Sequence, residues 1–304
     1  MESIAPRAVF VNPSAGRGAA GRRVDKVRQA FARRSYYVRI IQSASRNEFQ
    51  DGVRAAIECG CSTLIAMGGD GTVQLLAQEC AGRAVQMGVI PAGGGNDFAA
   101  ALGITTDADQ AVGVIANGKT RRIDAVGLCS RGEDVAPAIY VGGGGMGLDA
   151  EAVRQASGKF LKWPGRLRYV ASAIAALRRF NGIQLEAEFP DSDLPRIAKR
   201  VLLAAVLNTP TYGGGLRLAP EARMDDGMLE LVILEMLSKA EVLRLIPQLL
   251  ISGKLKTRRA ERVQAAKIRL TAEGETWFHG DGELLGVSPV KIEVLPGALS
   301  VLAP

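Results

Sequence analysis

The residues best suited to chemistry follow an apolar run in the segment 62–78, STLIAMGGDGTVQLLAQ. The end of that run is marked by Gly68, Gly69, Asp70, Gly71 and Thr72. Glycines let backbone N–H groups close on a phosphate, and the N-terminus of a following helix adds partial positive charge. The pattern therefore indicates a phosphate-binding turn between a strand and a helix, although such a turn also occurs without any ligand.

Two further apolar runs end in glycine-rich segments. They lie at 9–18, VFVNPSAGRG, and at 88–99, GVIPAGGGNDFA. Both turns are flexible enough to approach a phosphate, and they supply four candidate nucleotide-binding residues: Asn12, Gly16, Gly94 and Asn96. An alternative for Asn96 or Asp97 is a simple helix N-cap.

Periodicity predicts the strands and helices that carry these residues. Strand-like and helix-like segments alternate before residue 126, which predicts βα units on a parallel sheet. Later runs are rich in β-like residues, and the glycines at 142–145 predict a turn. We therefore predict an α/β domain at 1–126 and a β-rich domain at 127–304, whose last strand either stays there or returns to the first domain.

Two helical segments interrupt the β-rich half, at 159–180 and at 239–255. The first is basic and partly apolar, so it can lie on an anionic bilayer, or it packs on the core with a solvated basic face. No apolar run has the length of a spanning helix, and the N-terminal segment predicts a strand rather than a signal peptide. We expect a cytoplasmic protein with a peripheral membrane contact.

The composition limits the classes of partner that we expect the protein to bind. The net charge of +7 attracts polyanions, but the aromatic content of 5% and the lack of basic runs interleaved with aromatics argue against nucleic acid. The cysteines lack a second pair at metal spacing, so free thiols in a reducing cytosol are expected at Cys59, Cys61, Cys80 and Cys129. A lone histidine, His279, receives no role.

The three glycine-rich motifs, in this order and spacing, resemble the diacylglycerol kinase catalytic family, which includes sphingosine and ceramide kinases and bacterial lipid kinases. The resemblance continues over nearly the whole chain, in the segments 121–127, 142–153, 208–231 and 279–285. It implies a Rossmann-like α/β domain and a C-terminal β sandwich, with ATP in the cleft between them. The GGDGT motif alone is shared with NAD kinases, whereas the later motifs are typical of lipid kinases.

The resemblance also implies roles for individual residues in phosphoryl transfer. Residues 68–72 line the nucleotide phosphates. Asp70 acts through Mg²⁺, and Asp97 and Asp124 join it around the catalytic metal or its waters, where hard oxygen ligands are preferred.

Two later segments carry the remaining implied roles. A structural magnesium loop is formed by Asp226 and the carbonyls of Arg223 and Met228, with Asp225 as a further candidate ligand. The alternative there is a plain Asp-Gly turn between strands. The general base that takes the proton of the substrate hydroxyl is Glu283, and Asp281 is its competitor.

The expected activity is ATP-dependent phosphorylation of a lipid hydroxyl group at a membrane surface. The sequence departs from many family members at Gly94, Gln74 and Leu75, which puts the strength and preference of nucleotide binding in question. NAD kinase is the first alternative, and a catalytically silent nucleotide- or lipid-binding module is the second. The acceptor lipid is open, and a homodimer formed through a strand edge is a further expectation.

Overall fold

The structure, a computed structural model, describes residues 6–130, 136–156, 165–253, 255 and 257–304. The chain forms two compact units. One comprises Met1–Ile123 with Gly297–Pro304, and the other comprises Asp124–Pro296. The predicted class, an α/β domain followed by a β-rich domain, is confirmed.

The first unit is built on a parallel sheet. Its strands are β1 (Arg7–Val11), β2 (Arg39–Gln42), β3 (Thr63–Gly68) and β4 (Gln86–Pro91), in the order β4–β3–β1–β2. Residues 300–301 add a further parallel strand beside β4. All residues of β3 are buried, as expected for a strand that is covered on both faces of a parallel sheet.

The helices of this unit follow the strands and set the direction of the chain. They are α1 (Ala15–Arg33), α2 (Arg46–Glu58), α3 (Asp70–Cys80), α4 (Asp97–Ala101) and α5 (Ala108–Asn117). Because β1, β3 and β4 are parallel, the loops that enter α1, α3 and α4 all leave the same edge of the sheet. This edge brings together the three glycine-rich motifs.

The second unit is a set of antiparallel strands around an apolar core. Two strands contribute to both units, β5 (Lys119–Ser130) and β15 (Val290–Ala303). The others are β6 (Ala138–Tyr140), β7 (Gly143–Gly147), β8 (Ile183–Glu188), β9 (Ile197–Leu207), β10 (Leu229–Glu235), β11 (Ala260–Ala265), β12 (Lys267–Ala272), β13 (Trp277–Gly280) and β14 (Glu283–Val287). Leu229, Leu231 and Ile233 on β10 enter this core, while Val232 and Leu234 on the opposite face of the strand are buried in two other apolar clusters.

The pairing within the second unit follows the order β14–β13–β7–β9–β8–β12–β15, and β10 pairs with both β9 and β11. The predicted turn at 142–145 is wrong for residues 143–145, which begin strand β7. Glycine is required there because neighbouring atoms occupy the space that a side chain would take. A Cβ added to Gly144 would lie 2.3 Å from the carbonyl oxygen of His279.

The described residues of the second unit also form the helices α6 (Leu148–Ala156), α7 (Gly165–Leu177) and α8 (Lys239–Ser252). The predicted helix at 159–180 lies partly outside the described residues, because 157–164 are not among them. Within the described ranges, no helix is both long and apolar enough to cross a membrane. The alternatives for the basic face of 159–180 therefore stay open.

Candidate active site

The loops after β1, β3 and β4 are bonded to one another. The backbone N–H of Asn12 donates to the carbonyl oxygen of Met67 at 3.1 Å, and that of Ala92 donates to Gly68 at 2.7 Å. The Asn12 side chain also donates from Nδ2 to Thr72 Oγ1 at 3.3 Å. Residues predicted from three separate motifs are thus held in one cluster.

Two glycines of this cluster are required by close backbone contact. A Cβ on Gly16 would lie 2.1 Å from the carbonyl oxygen of Ala92, and Gly16 has a φ of +57°. A Cβ on Gly93 would lie 2.4 Å from the Cα of Gly69. Both distances are far below van der Waals contact. A side chain at either position would therefore prevent the loops from packing together. Gly94 is exposed at the tip of its loop.

Asp70 holds the start of α4. Its carboxylate accepts the backbone N–H groups of Asn96 at 2.7 Å and of Phe98 at 3.2 Å. Burial, and then the charge of Asp97, raises the pKa of Asp70 from 3.8 to about 6. The pair is therefore costly to keep ionised, and a cation would relieve the repulsion.

Asn96 does not cap α4 with its side chain. It adopts a left-handed backbone conformation with a φ of +60°, and its amide forms two bonds to Gly93, from Gly93 N to Oδ1 at 2.8 Å and from Nδ2 to the Gly93 carbonyl at 2.9 Å. The amide closes the glycine loop on itself. Two positions at which this sequence departs from many family members lie on α3. Gln74 is buried, and Leu75 is half-buried.

In the second unit, Asp124 fixes the loop that carries the predicted magnesium ligands. Its own N–H donates to the Met224 carbonyl at 2.6 Å, and its Oδ2 accepts the N–H of Gly227 at 2.8 Å. Asp226 Oδ1 accepts the N–H of Met228 at 3.1 Å, and Asp225 Oδ1 pairs with Arg223 Nε at 3.3 Å. Asp225, Asp226, Arg223 and Met228 thus lie in one turn before β10.

The electrostatics of this loop are negative. Burial, followed by the charges of Asp226 and Glu221, raises the pKa of Glu230. Among the described residues, no three His, Cys, Asp or Glu side chains are grouped as a metal site. A cation there would consequently depend on carbonyl oxygens and water in addition to carboxylate.

The two candidate bases in the β13–β14 hairpin have different surroundings. Asp281 accepts three backbone N–H groups, from Val141 at 2.8 Å, Gly142 at 2.9 Å and Gly143 at 3.1 Å. Its φ of +50° places it in the hairpin turn, and Glu283 begins β14 in a half-buried position. Asp281 therefore has a structural task, which favours Glu283 as the base.

Sequence reasoning missed one group of residues. His279, which received no role, is buried, and its Nε2 lies 2.6 Å from the hydroxyl of Tyr212. That hydroxyl donates to Asp149 Oδ2 at 2.8 Å. The position of His279 only two residues before Asp281 was the available signal.

Comparison with known sequences decides the family. A family model described as the diacylglycerol kinase catalytic domain matches residues 6–128, and one described as the YegS C-terminal NAD kinase beta sandwich-like domain matches residues 142–303, over half of the chain. This chain belongs to the diacylglycerol kinase family. The predicted resemblance is confirmed, and the chain is a kinase of the lipid kinase class.

Individual members of the diacylglycerol kinase family agree with this assignment. A protein of Mycobacterium tuberculosis named diacylglycerol kinase is 28% identical over 298 residues, which are 97% of this chain and 94% of the relative. A protein of Chromohalobacter salexigens named "probable lipid kinase YegS-like" is 30% identical over 270 residues, covering 84% of this chain and 81% of the relative. The crystal structure of a diacylglycerol kinase from Bacillus anthracis shares the fold, with a TM-score of 0.73 and 19% identity over 98% of this chain and 97% of that one.

The bonds of Asp281 predict a stability effect in this diacylglycerol kinase family member. Asparagine tolerates the same backbone conformation but has one acceptor oxygen, so Asp281→Asn places an NH₂ group against the N–H of Val141. We expect the free energy of unfolding in urea to fall by about 1–3 kcal/mol. Asp193→Asn, at an exposed loop position, is the control and should change nothing. Equal stability of the two variants would contradict the structural role of Asp281.

Proposed function

We propose that this protein transfers the γ-phosphoryl group of ATP to a hydroxyl group of a lipid at a membrane surface, with Mg²⁺. One observation carries the proposal beyond family membership. The hairpin at 279–285 holds two carboxylates, and the three backbone bonds of Asp281 assign it to structure. Glu283 is accordingly the carboxylate of this hairpin that we assign to proton transfer.

The nucleotide end of the reaction is supported by the interlocked loops of the first unit. Backbone N–H groups in residues 68–72 and the N-terminus of α3 favour the negative charge of phosphates. Asn12 and Gly16 belong to the same cluster through Thr72 and Ala92. We infer that ATP phosphates bind there, and the cleft that the resemblance implies stays a prediction.

The acidic residues fit Mg²⁺ at two places. Asp70 and Asp97 are close enough for the charge of Asp97 to raise the pKa of Asp70, which a divalent cation would reverse. Each Asp70 oxygen keeps acceptor capacity beyond the one backbone N–H it binds. In the second unit, exposed Asp226 and the carbonyls of Arg223 and Met228 form a hard-oxygen donor set. When bound, Mg²⁺ supplies charge that offsets the negative phosphates.

The proposed reaction moves the γ-phosphoryl group of ATP to the lipid hydroxyl oxygen. The lipid hydroxyl oxygen attacks the γ-phosphorus while its proton passes to the carboxylate of Glu283. The bond between the γ-phosphorus and the bridging oxygen breaks, and ADP leaves. Because phosphoryl transfer needs little covalent help, positioning and charge neutralisation should dominate the rate.

The remaining partners are proposals of the same kind. A peripheral membrane contact would bring the protein to its lipid, and a homodimer is a further expectation. The second family model is described as NAD kinase-like, so NAD belongs in the test as a soluble alternative acceptor.

The test is a phosphorylation assay with radiolabelled ATP and Mg²⁺ and with diacylglycerol, monoacylglycerol, sphingosine, ceramide or a polyprenol in mixed micelles. We expect label in one lipid, and none when EDTA replaces Mg²⁺. Labelled NADP would contradict the proposal in favour of an NAD kinase. The absence of any labelled product would favour a catalytically silent binding protein.

A further inference from the structure

A largely buried polar network lies beside the hairpin of Glu283. It joins three elements of the second unit: His279 on β13, Tyr212 in the loop after β9, and Asp149 on α6. The Tyr212 hydroxyl lies 2.6 Å from His279 Nε2 and 2.8 Å from Asp149 Oδ2, and these last two atoms are 3.5 Å apart. The His279 and Asp149 side chains are 4% and 11% exposed.

The proton positions follow from these bonds. The Tyr212 hydroxyl has one proton and donates it to Asp149, so it must accept from His279, and Nε2 carries a hydrogen. Nδ1 of His279 then faces the interior with no hydrogen-bond partner among the described residues. Leaving such a buried atom unsatisfied costs stability, which offsets part of what the two hydrogen bonds of Tyr212 contribute.

Strand β7 is shaped to hold this network. Gly143 and Gly145 lie on the same face of the strand, because side-chain positions alternate. A Cβ on Gly145 would lie 2.4 Å from Asp149 Oδ2, and one on Gly143 would lie 2.9 Å from Tyr212 Cδ2. Asp149 and Tyr212, the two side chains that His279 reaches, therefore occupy part of the bare face of β7, together with Leu207, whose Cδ2 lies 2.5 Å from a Cβ on Gly143.

The network is also tied to Glu283 through the hairpin. Gly280, next to His279, pairs with Glu283, and the turn between them contains Asp281 and Gly282, both with positive φ. Asp281 secures the turn to residues 141–143. His279 itself pairs with Gly145 of β7, and the adjoining Gly280 pairs with Gly144.

We propose that Asp149, Tyr212 and His279 are positioning residues that hold the β13–β14 hairpin so that the Glu283 carboxylate keeps its place for proton transfer. This inference rests on the proposed function of Glu283. Mispositioning a reacting group by a fraction of an ångström lowers the rate of transfer without weakening the binding of a remote substrate. The network should therefore affect kcat rather than the KM for ATP.

The first experiment compares Tyr212→Phe with the wild type in the lipid phosphorylation assay. We expect kcat to fall about tenfold while the KM for ATP stays unchanged. Tyr140→Phe is the matched control, because it removes a different tyrosine hydroxyl of the second unit, one whose hydrogen bond among the described residues goes to the Val206 carbonyl at 3.4 Å. A second pair of variants tests whether the hydrogen bond of His279 matters or only the size of its side chain. His279→Gln keeps a donor near the Nε2 position and should therefore retain more activity than His279→Leu.

The second experiment does not require activity. Hydrogen exchange of the peptide 277–287 should be faster in Tyr212→Phe than in the wild type and in Tyr140→Phe. Unchanged exchange would overturn the proposal, and so would a wild-type kcat in Tyr212→Phe. If the wild type phosphorylates no lipid, the proposed function fails, and the exchange alone decides whether the network holds the hairpin.

Discussion

Replacing Asp70 with asparagine is expected to lower kcat by about 10³-fold, because the variant loses the carboxylate charge that the proposed metal and phosphates require. Asparagine has nearly the same shape and can still accept the N–H of Asn96 or of Phe98, the two groups that Asp70 binds. The measurement is kcat with Mg²⁺ and the accepted lipid. Asp25→Asn, on the exposed face of α1, is the matched control and should keep the wild-type rate.

Measurements of stability distinguish this fall in kcat from unfolding of the variant. The pKa of Asp70 is raised to about 6 in the folded protein from 3.8, so the folded state holds the proton more tightly than the unfolded chain. That contribution to stability is complete below 3.8 and is lost as the pH rises through about 6. It amounts to about 3 kcal/mol.

Urea unfolding in Mg²⁺-free buffer tests the direction of this pH dependence of stability. The wild type should lose this contribution between about pH 4 and pH 7, while Asp70→Asn, which cannot titrate, should lack that component. At pH 7 the variant should be about as stable as the wild type, because relief of the buried charge offsets one lost hydrogen bond. A variant with wild-type kcat would show that Asp70 is misassigned, and one that is unfolded at pH 7 would contradict the electrostatic account.

Replacing Glu283 with glutamine is expected to lower kcat by about 10²- to 10⁴-fold, because an amide cannot take the proton of the attacking hydroxyl. The dissociation constant for ATP should not change, since Glu283 is assigned to the lipid hydroxyl and not to the nucleotide. Steady-state kinetics with the lipid and equilibrium binding of ATP measure the two quantities separately.

The control for this substitution is Glu275→Gln, at an exposed position two residues before β13. It removes the same charge from the same region and should leave kcat unchanged. If Glu283→Gln retained the wild-type rate while Asp281→Asn lost it at equal stability, the assignment of the base would pass to Asp281.

Local pattern was sufficient for most of the fold. Strand β10 is visible in its β-like run LELVIL, and β3 in an apolar run that is buried throughout. The glycine motifs were also located correctly at strand ends, since apolar runs and turn residues are properties of neighbouring positions. One exception is β7, where residues 143–145 lack the side chains on which strand prediction depends.

Motifs and periodicity were thus sufficient for the family, the two kinds of unit and the segments that carry the candidate residues. The tasks of individual side chains became visible in the folded chain. Asp281 bonds to Gly142, 139 residues away, Asp70 bonds to Asn96, 26 residues away, and His279 meets Tyr212, 67 residues away. Side-chain bonds of this kind depend on the packing of distant segments, so no local pattern distinguishes a carboxylate that supports the backbone from one that takes a proton.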